Sequence, residues 1–307
     1  MPELPEVETV ARTLRPLIVG RTITSAQVLL SRSVHELSLP LDRLVGRGVA
    51  DVSRRGKLVL LNLAPVEETD ARHASCPCPA EGTPGTAHAV LPAQSLTEPS
   101  ASPAVLAVHL RMTGRLFVFP PSEPVGRHTR VILGLSDGNR LFFDDARTFG
   151  LMLLATPYVL TCWPFWTTLG PEPLTLSAED FAARVRARRG SIKAVLLDQK
   201  VIAGIGNIYA DESCFRAGID PRRQASSLSP AACARLLACV REVLLQSIRE
   251  CGSSIKDYRT ARGDAGAFQN YFRVYGRAGQ RCLACGGELE GARVAGRATV
   301  FCRHCQQ

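Results

Sequence analysis

Two pairs of cysteines constrain this chain more than any other feature. Cys282-x-x-Cys285 and Cys302-x-x-Cys305 stand sixteen residues apart. Knuckles at that distance place four thiolates tetrahedrally around one Zn2+ ion. A module of about 35 residues has almost no core, so the metal must hold its fold. Four protein ligands close the coordination shell, which makes such a zinc structural rather than catalytic. His304 stands between two of the cysteines and could substitute, but four sulfurs are already available. Arg277, Arg281, Arg293, Arg297 and Arg303 cluster around the knuckles. Guanidiniums at that density suit phosphates.

The overall charge points the same way. Lys plus Arg outnumber Asp plus Glu by 37 to 28, a net charge of +9, which favours an anionic partner such as nucleic acid. The 307 residues suffice for two compact domains, and a 46% hydrophobic content is ordinary for a globular protein. The start, MPELPEVETV, is acidic where a secretory signal needs positive charge, and no run of about 18 apolar residues occurs. The expectation is a cytoplasmic protein with no membrane segment. Its eleven cysteines then suit metal binding or free thiols rather than disulfides.

Apolar residues at three- and four-residue spacing (Leu4, Val7, Val10, Ala11, Leu14, Leu17, Ile18) predict a helix over 4–20, with Pro5 in its first turn and Gly20 as its stop. Short β-rich stretches follow at 58–63, 105–110, 114–119, 129–135, 139–145 and 150–156, with a turn at SDGN, 136–139. They predict an antiparallel β-sandwich with the N-terminal helix packed on it. Residues 64–104, rich in Pro, Ala, Ser and Thr and without periodicity, read as a disordered insertion between two strands. His73, Cys76, Cys78 and His88 fall inside it and read as incidental rather than as a metal site. Beyond TLGPEPL, 168–174, the pattern turns helical, with helices over 178–189, 191–199, 207–218 and 229–251. The fold class is therefore α+β. The expected divisions are 1–170, a β-sandwich; 171–271, a helical DNA-binding domain; and 272–307, a four-cysteine zinc finger.

Two further stretches carry chemistry. In KVIAGIGNIYADE, 200–212, Gly204 and Gly206 permit a close backbone approach, and Asn207 can cap the helix that follows. A helix N-terminus behind such a turn offers amide hydrogens to a phosphate. At the chain start, a small second residue lets the initiator methionine be removed, exposing Pro2 as a secondary amine. At a helix N-terminus its ammonium form is disfavoured, and amines attack sugar C1′. Glu3 and Glu6, one turn away, can move protons.

MPELPEVETV, RRGKL (54–58), HLRMTGRL (109–116), DDARTFG (144–150), LGPEPL (169–174), GIGNIYADE (204–212), VYGR (274–277) and the paired Cys knuckles resemble, in order, the formamidopyrimidine-DNA glycosylases. The resemblance spans almost the whole chain except 64–104. It implies a β-sandwich, a helix-two-turn-helix domain and a zinc finger, with DNA across the cleft. It implies a monomeric base-excision enzyme that takes oxidised purines from duplex DNA, acts on abasic sites, and cuts the strand by β,δ-elimination. By resemblance, Pro2 is the nucleophile, Glu3 the proton donor, Glu6 its support, and Lys57 a DNA contact that assists at the lesion. Met112, Arg147 and Phe149 resemble the residues that fill the hole left by the flipped nucleotide, although on pattern alone Met112 and Phe149 suit a sandwich core. Lys193, Asn207 and Arg297 match positions that hold phosphates, and His109 and Arg130 are further DNA contacts. Extrusion of the base is required because C1′ cannot be reached inside a duplex, and apolar wedges offset part of its cost.

Departures from the family pattern bear on base specificity more than on catalysis. Ala146 and Thr148 replace the usual Pro and second Arg of DPRRFG, and Arg111 replaces a usual Gly. Ala265 and Ala267 stand where Pro and Tyr are typical of the lesion-capping loop. Two other readings remain: an endonuclease VIII-type enzyme for oxidised pyrimidines, separable by a lesion panel, and a non-catalytic lesion-DNA-binding protein, against which Pro2, Glu3, Glu6 and Lys57 stand.

Overall fold

The computed structural model describes residues 1–65, 103–255 and 258–307. Most of the expected insertion, with His73, Cys76, Cys78 and His88, lies outside the described residues. The expectation of 64–104 as insertion is corrected at its edge, because Ala104 opens a strand.

The N-terminal helix α1 (Leu4–Ile18) is followed by strands β1 (Ile23–Val28), β2 (Val49–Arg55), β3 (Leu58–Leu63), β4 (Ala104–His109), β5 (Gly114–Phe119), β6 (Thr129–Leu135), β7 (Arg140–Asp145) and β8 (Leu151–Ala155). They form two four-stranded antiparallel sheets, ordered β1-β6-β7-β5 and β2-β3-β4-β8. Alternate residues such as Val59, Leu61, Leu106, Val108, Leu133 and Phe143 fill the space between the sheets, together with Val7, Val10, Leu14 and Ile18 of α1. The strand LVLLNL reads as an apolar run because both of its faces are covered. Leu58 and Leu60 point away from that core to Leu160 and Trp163, which belong to α2 (Pro157–Thr161) and the turn before α3 (Pro164–Thr167).

Strands β1 and β2 escape sequence reading. Both are edge strands, and β1 (ITSAQV) buries only Ile23, so neither shows an apolar alternation.

The helical domain comprises α4 (Ala178–Arg186), α5 (Ile192–Leu197), α6 (Asn207–Arg216) and α7 (Pro230–Arg249). Ser177, Ser191 and Ser229 cap three of these helices through their hydroxyls. Leu4 belongs to this helical core, whereas the rest of the apolar stripe of α1 belongs to the sandwich. The first turn of α1 is therefore clamped where the two domains meet. The finger is a hairpin, β9 (Glu290–Val294) with β10 (Arg297–Phe301), over a small cluster of Val274, Cys282, Leu289, Val300 and Cys302.

Candidate active site

Glu3 is the N-cap residue of α1 and is only 3% exposed. Its Oε1 accepts the amide of Ile208, 3.1 Å away in the first turn of α6. Two helix N-termini thus meet at one carboxyl, and both would stabilise its charge. Burial outweighs them. The Glu3 carboxyl is pushed up to about 7 by desolvation, with the nearby Lys57 charge pulling it down and Glu6 pushing it further up. Its Oε2 is buried without a hydrogen-bond partner. At about 7, a share of such groups still carries at neutral pH a proton it can give away. Pro2, itself buried, precedes it, and the exposed Met1 stands in front.

Glu6 differs from Glu3. Its Oε2 receives the Glu3 amide at 2.8 Å, and its Oε1 receives the Ser253 amide at 2.8 Å and the Tyr209 hydroxyl. Tyr209 also touches Ser247 Oγ at 2.7 Å. Burial pushes the Glu6 carboxyl up, but its oxygens are spoken for, so it fixes the corner rather than serving as a free base.

Lys57, 4% exposed, sends Nζ to the carbonyl of Ile205 at 2.8 Å, and burial lowers its pKa. The Gly204–Gly206 turn explains how these groups come together. Leu4 donates its amide to Gly204 O at 3.0 Å. A Cβ on Gly206 would lie 2.3 Å from the Glu3 carboxyl carbon, so only glycine admits that carboxylate. The expected helix cap is corrected here. Gly206, not Asn207, is the N-cap of α6, and the Ile208 amide is taken by Glu3 rather than left for phosphate.

Asn207 turns its Nδ2 to Ala298 O in the finger at 3.0 Å. Arg297 opens β10, exposed, and its charge is felt at Lys57. Lys193 requires a correction. It is fully buried, its Nζ lies 2.7 Å from Asp211 Oδ1, and it donates to Thr299 Oγ1 at 2.7 Å and Ala298 O at 3.0 Å. Two of its three donors go to the finger and its charge is paired with Asp211, so the fully buried Lys193 ties the finger to α5 and α6 rather than standing open to a phosphate. The arginines around the finger divide likewise: Arg277 donates to the carbonyls of Arg273 and Arg281, and Arg303 pairs with Glu290.

Met112 and Phe149 are 42% and 54% exposed, which removes the sandwich-core reading for both. Arg147 lies over the Phe149 ring at 5.0 Å. Their two loops are joined by Asp145, fully buried, whose carboxylate takes the Thr113 hydroxyl, the Arg147 amide at 3.2 Å and the Gly150 amide at 2.6 Å. Arg111 has φ +52°, the left-handed region where glycine sits freely, and an L-residue there costs about 1–2 kcal/mol. Its amide donates to His109 Nδ1 at 3.1 Å, so the neutral ring carries its proton on Nε2. Burial, Arg111 and Lys57 push His109 down to about 3. Arg130 gives Nε to Asp145 O at 2.8 Å. In the stretch 262–269 Ala265 is exposed, while the Ala267 amide is tied to Glu250 O at 2.8 Å.

The four thiols of Cys282, Cys285, Cys302 and Cys305 lie within 4.8 Å of one another, with sulfur pairs at 3.9 and 3.5 Å. Tetrahedral zinc–thiolate bonds of about 2.3 Å put sulfurs about 3.8 Å apart, so this donor set fits one zinc.

Sequence reading missed the acids that dock the finger. Glu212 accepts the amides of Arg273, Val274 and Tyr275 at 2.8–3.1 Å. Asp211, pushed up to about 6 by burial despite Lys193, accepts the Val300 amide at 3.3 Å. The only signal was their place in YADE, an ordinary helical surface by composition.

Three family models match the chain in series. They are described as Formamidopyrimidine-DNA glycosylase N-terminal domain, over residues 1–152; Formamidopyrimidine-DNA glycosylase H2TH domain, over 169–259; and Zinc finger found in FPG and IleRS, over 279–307. A formamidopyrimidine-DNA glycosylase of Nitratidesulfovibrio vulgaris is 47% identical, covering 100% of both chains. The MutM (FPG) protein of Thermus thermophilus superposes with a TM-score of 0.78 at 36% identity, over 99% of this chain and 98% of that one. The Lactococcus lactis Fpg, solved with DNA containing an abasic site, superposes with a TM-score of 0.79 at 30% identity, over 99% of both chains.

Proposed function

The chain belongs to the formamidopyrimidine-DNA glycosylase family, and on that premise we propose that Pro2 is its nucleophile and Glu3 its proton donor. The protein is a bifunctional base-excision-repair enzyme, a glycosylase for oxidised purines and an AP lyase, acting on duplex DNA. One zinc is held in the finger. Among the described residues no helix is long and apolar enough to cross a membrane. We place the enzyme in the bacterial cytoplasm on chromosomal DNA, acting as a monomer, with its domains divided near residues 170 and 271.

One observation carries the residue roles: a buried carboxyl, pushed up to about 7 and with one oxygen unpartnered, sits directly beside Pro2. The steps follow. The neutral Pro2 amine attacks C1′ as the C1′–N bond to the base breaks through an oxocarbenium-like transition state, and the proton lost from the Pro2 nitrogen goes to the departing base. Glu3 delivers its proton to the sugar ring oxygen as the C1′–O4′ bond opens, which leaves an iminium between Pro2 and C1′. The iminium draws electrons, so a proton leaves C2′ and the 3′ phosphate departs. A second elimination releases the 5′ phosphate, and water hydrolyses the imine to free Pro2. Arg297, His109 through Nε2, and Asn207 supply phosphate contacts. Lys57 places a positive charge between the phosphates and Glu3. Met112 and Phe149 wedge the stack, and Arg147 faces the orphaned base.

Borohydride reduces imines. Incubated with a duplex carrying one 8-oxoguanine opposite cytosine, the enzyme is expected to become cross-linked through Pro2, and N-terminal acetylation is expected to abolish both cross-linking and cutting. Peptide mapping that places the link on Lys57 would refute the assignment.

A further inference from the structure

A charged network missed in the sequence lies beside the catalytic corner without touching it. Arg54, with a side chain only 8% exposed, grips Glu172 by a fork: Nη1 to Oε1 at 2.9 Å and Nη2 to Oε2 at 2.7 Å. Its Nε reaches Glu8 of α1 at 3.0 Å. Glu172 also receives the Gly56 amide at 2.6 Å, and Arg54 Nη1 donates to Gly56 O at 3.0 Å. Gly56 has φ +57°, and a Cβ there would meet Leu169 at 3.1 Å, so the β2–β3 turn is pressed on the interdomain segment.

That segment is tied equally tightly on its other side. Gly170 donates to Gln199 O at 2.8 Å, and Ala203 donates to Pro171 O at 3.0 Å. Gln199 in turn holds the 199–206 loop, giving Nε2 to Ile205 O at 2.8 Å and receiving the Gly204 amide at 2.9 Å. Lys57, next to Gly56, closes the ring by donating to that same Ile205 carbonyl. Residues 169–172 therefore join the turn that carries Lys57 to the loop that seats Glu3.

We propose that Arg54 and Glu172 are positioning residues for base excision: their fork holds the Gly56 turn against the 199–206 loop and so aims Lys57 at the space in front of Glu3. This rests on the reading of Glu3 as proton donor. The groups facing Glu3 are Lys57, Glu6, the chain's amino terminus and the hydroxyls of Tyr209 and Tyr275. Of these, Lys57 is the one whose placement depends on the fork. A misplacement near 1 Å is enough to cost about a hundredfold in rate.

The test uses full-length, zinc-loaded enzyme and a duplex with one 8-oxoguanine opposite cytosine, followed in single turnover between pH 6 and 9. Glu172→Gln keeps an acceptor for Gly56 but loses the charge. Arg54→Lys keeps a charge but loses the fork, and carries the same test should Glu172→Gln fold poorly. Excision is expected to fall about 10–100-fold, with affinity for a duplex holding a tetrahydrofuran abasic analogue nearly unchanged. The alkaline limb of the rate profile is expected to move to higher pH, because a displaced Lys57 no longer holds Glu3 down. Wild-type rates with an unmoved limb in both variants would overturn the proposal, as would a rate loss matched by an equal loss of binding with the limb in place. Failure of the parent enzyme to excise the lesion would instead indict the functional reading.

Discussion

The catalytic corner and the zinc finger hold their polar groups by opposite means. In the corner, Glu3, Glu6 and Lys57 are 3%, 2% and 4% exposed and meet partners more than a hundred residues away, such as Ile208, Ser253 and Ile205. Their positions come from two domains closing on one helix end, and desolvation shifts their protonation. In the finger, four ligands come from two short turns, and an ion replaces a core that amounts to five buried side chains. A metal fixes geometry locally and tolerates solvent. A dry pocket fixes it globally and can hold a carboxyl protonated at neutral pH. On the proposed mechanism the first serves grip on DNA and the second proton transfer.

The most severe test removes the metal. Cys302→Ser takes away one of four ligands of a site whose zinc supplies about 10–16 kcal/mol of folding energy in modules of this kind. The finger is expected to unfold and DNA binding to vanish, while the sandwich melts as before. Metal analysis of the parent protein must return one zinc per chain. A variant that still binds duplex DNA would show that the finger has a core of its own.

Glu3→Gln addresses the corner. Removal of a positioned proton donor costs about 10²–10⁴-fold, so binding should persist and excision collapse. Stability should move the other way. The Glu3 carboxyl has an ordinary value of 4.5 when unfolded and is pushed up to about 7 when folded. Between those values the folded chain keeps a proton that the unfolded chain releases, so this group costs stability as pH rises through that window, and the cost is complete above 7. At about 1.4 kcal/mol per pH unit it is on the order of 3 kcal/mol. Glu3→Gln should therefore melt higher than the parent at pH 8 and equally at pH 4. Excision by the parent should fall as pH rises past about 7. Equal melting at pH 8 would mean that Glu3 is not desolvated.

The same contrast explains what could be read from the sequence. The finger is written in local spacing, so its four ligands were legible. So were the strands of the sandwich whose apolar faces alternate or run unbroken, such as 58–63. The edges β1 and β2 were not, because half-exposed strands carry no such pattern. In the corner, residue types were legible and contacts were not. Lys193 looks like any surface lysine, and only the fold reveals Asp211 beside it. Glu172, Arg54, Tyr209 and Asp145 each hold at least one partner between 32 and 203 residues away, and spacing carries no trace of that.

Lys193 and Arg297 therefore separate in kind. Lys193→Ala leaves Asp211 buried without its counter-ion, which costs about 3–5 kcal/mol, and it releases the carbonyl and hydroxyl of Ala298 and Thr299. The expected readout is a lower melting temperature and a loosened finger, with the salt dependence of binding unchanged. Arg297→Ala should leave melting alone, weaken binding to damaged and undamaged duplexes alike, and lower the salt slope by about one. A lower slope for Lys193→Ala at intact stability would restore it as a phosphate contact.

The smallest effect is expected from removing residues 66–102. Leu63 and Ala104 face each other in the β3–β4 ladder, so the chain leaves and re-enters the sheet at one place and a short turn can join the ends. Every contact described for the corner, the wedge loops and the finger is made by residues outside that segment. Loop-closure entropy grows only as the logarithm of length, so a tenfold shorter connection changes stability by about 2 kcal/mol at most, in the stabilising direction. The connection joins adjacent antiparallel strands, for which short hairpin turns suffice. Excision by the shortened enzyme should stay within about threefold of the parent, because the transition state's contacts are untouched. Its melting temperature should hold or rise. A shortened chain that folds, keeps zinc and binds lesion DNA but no longer excises would show that these residues reach the site and take part in the reaction.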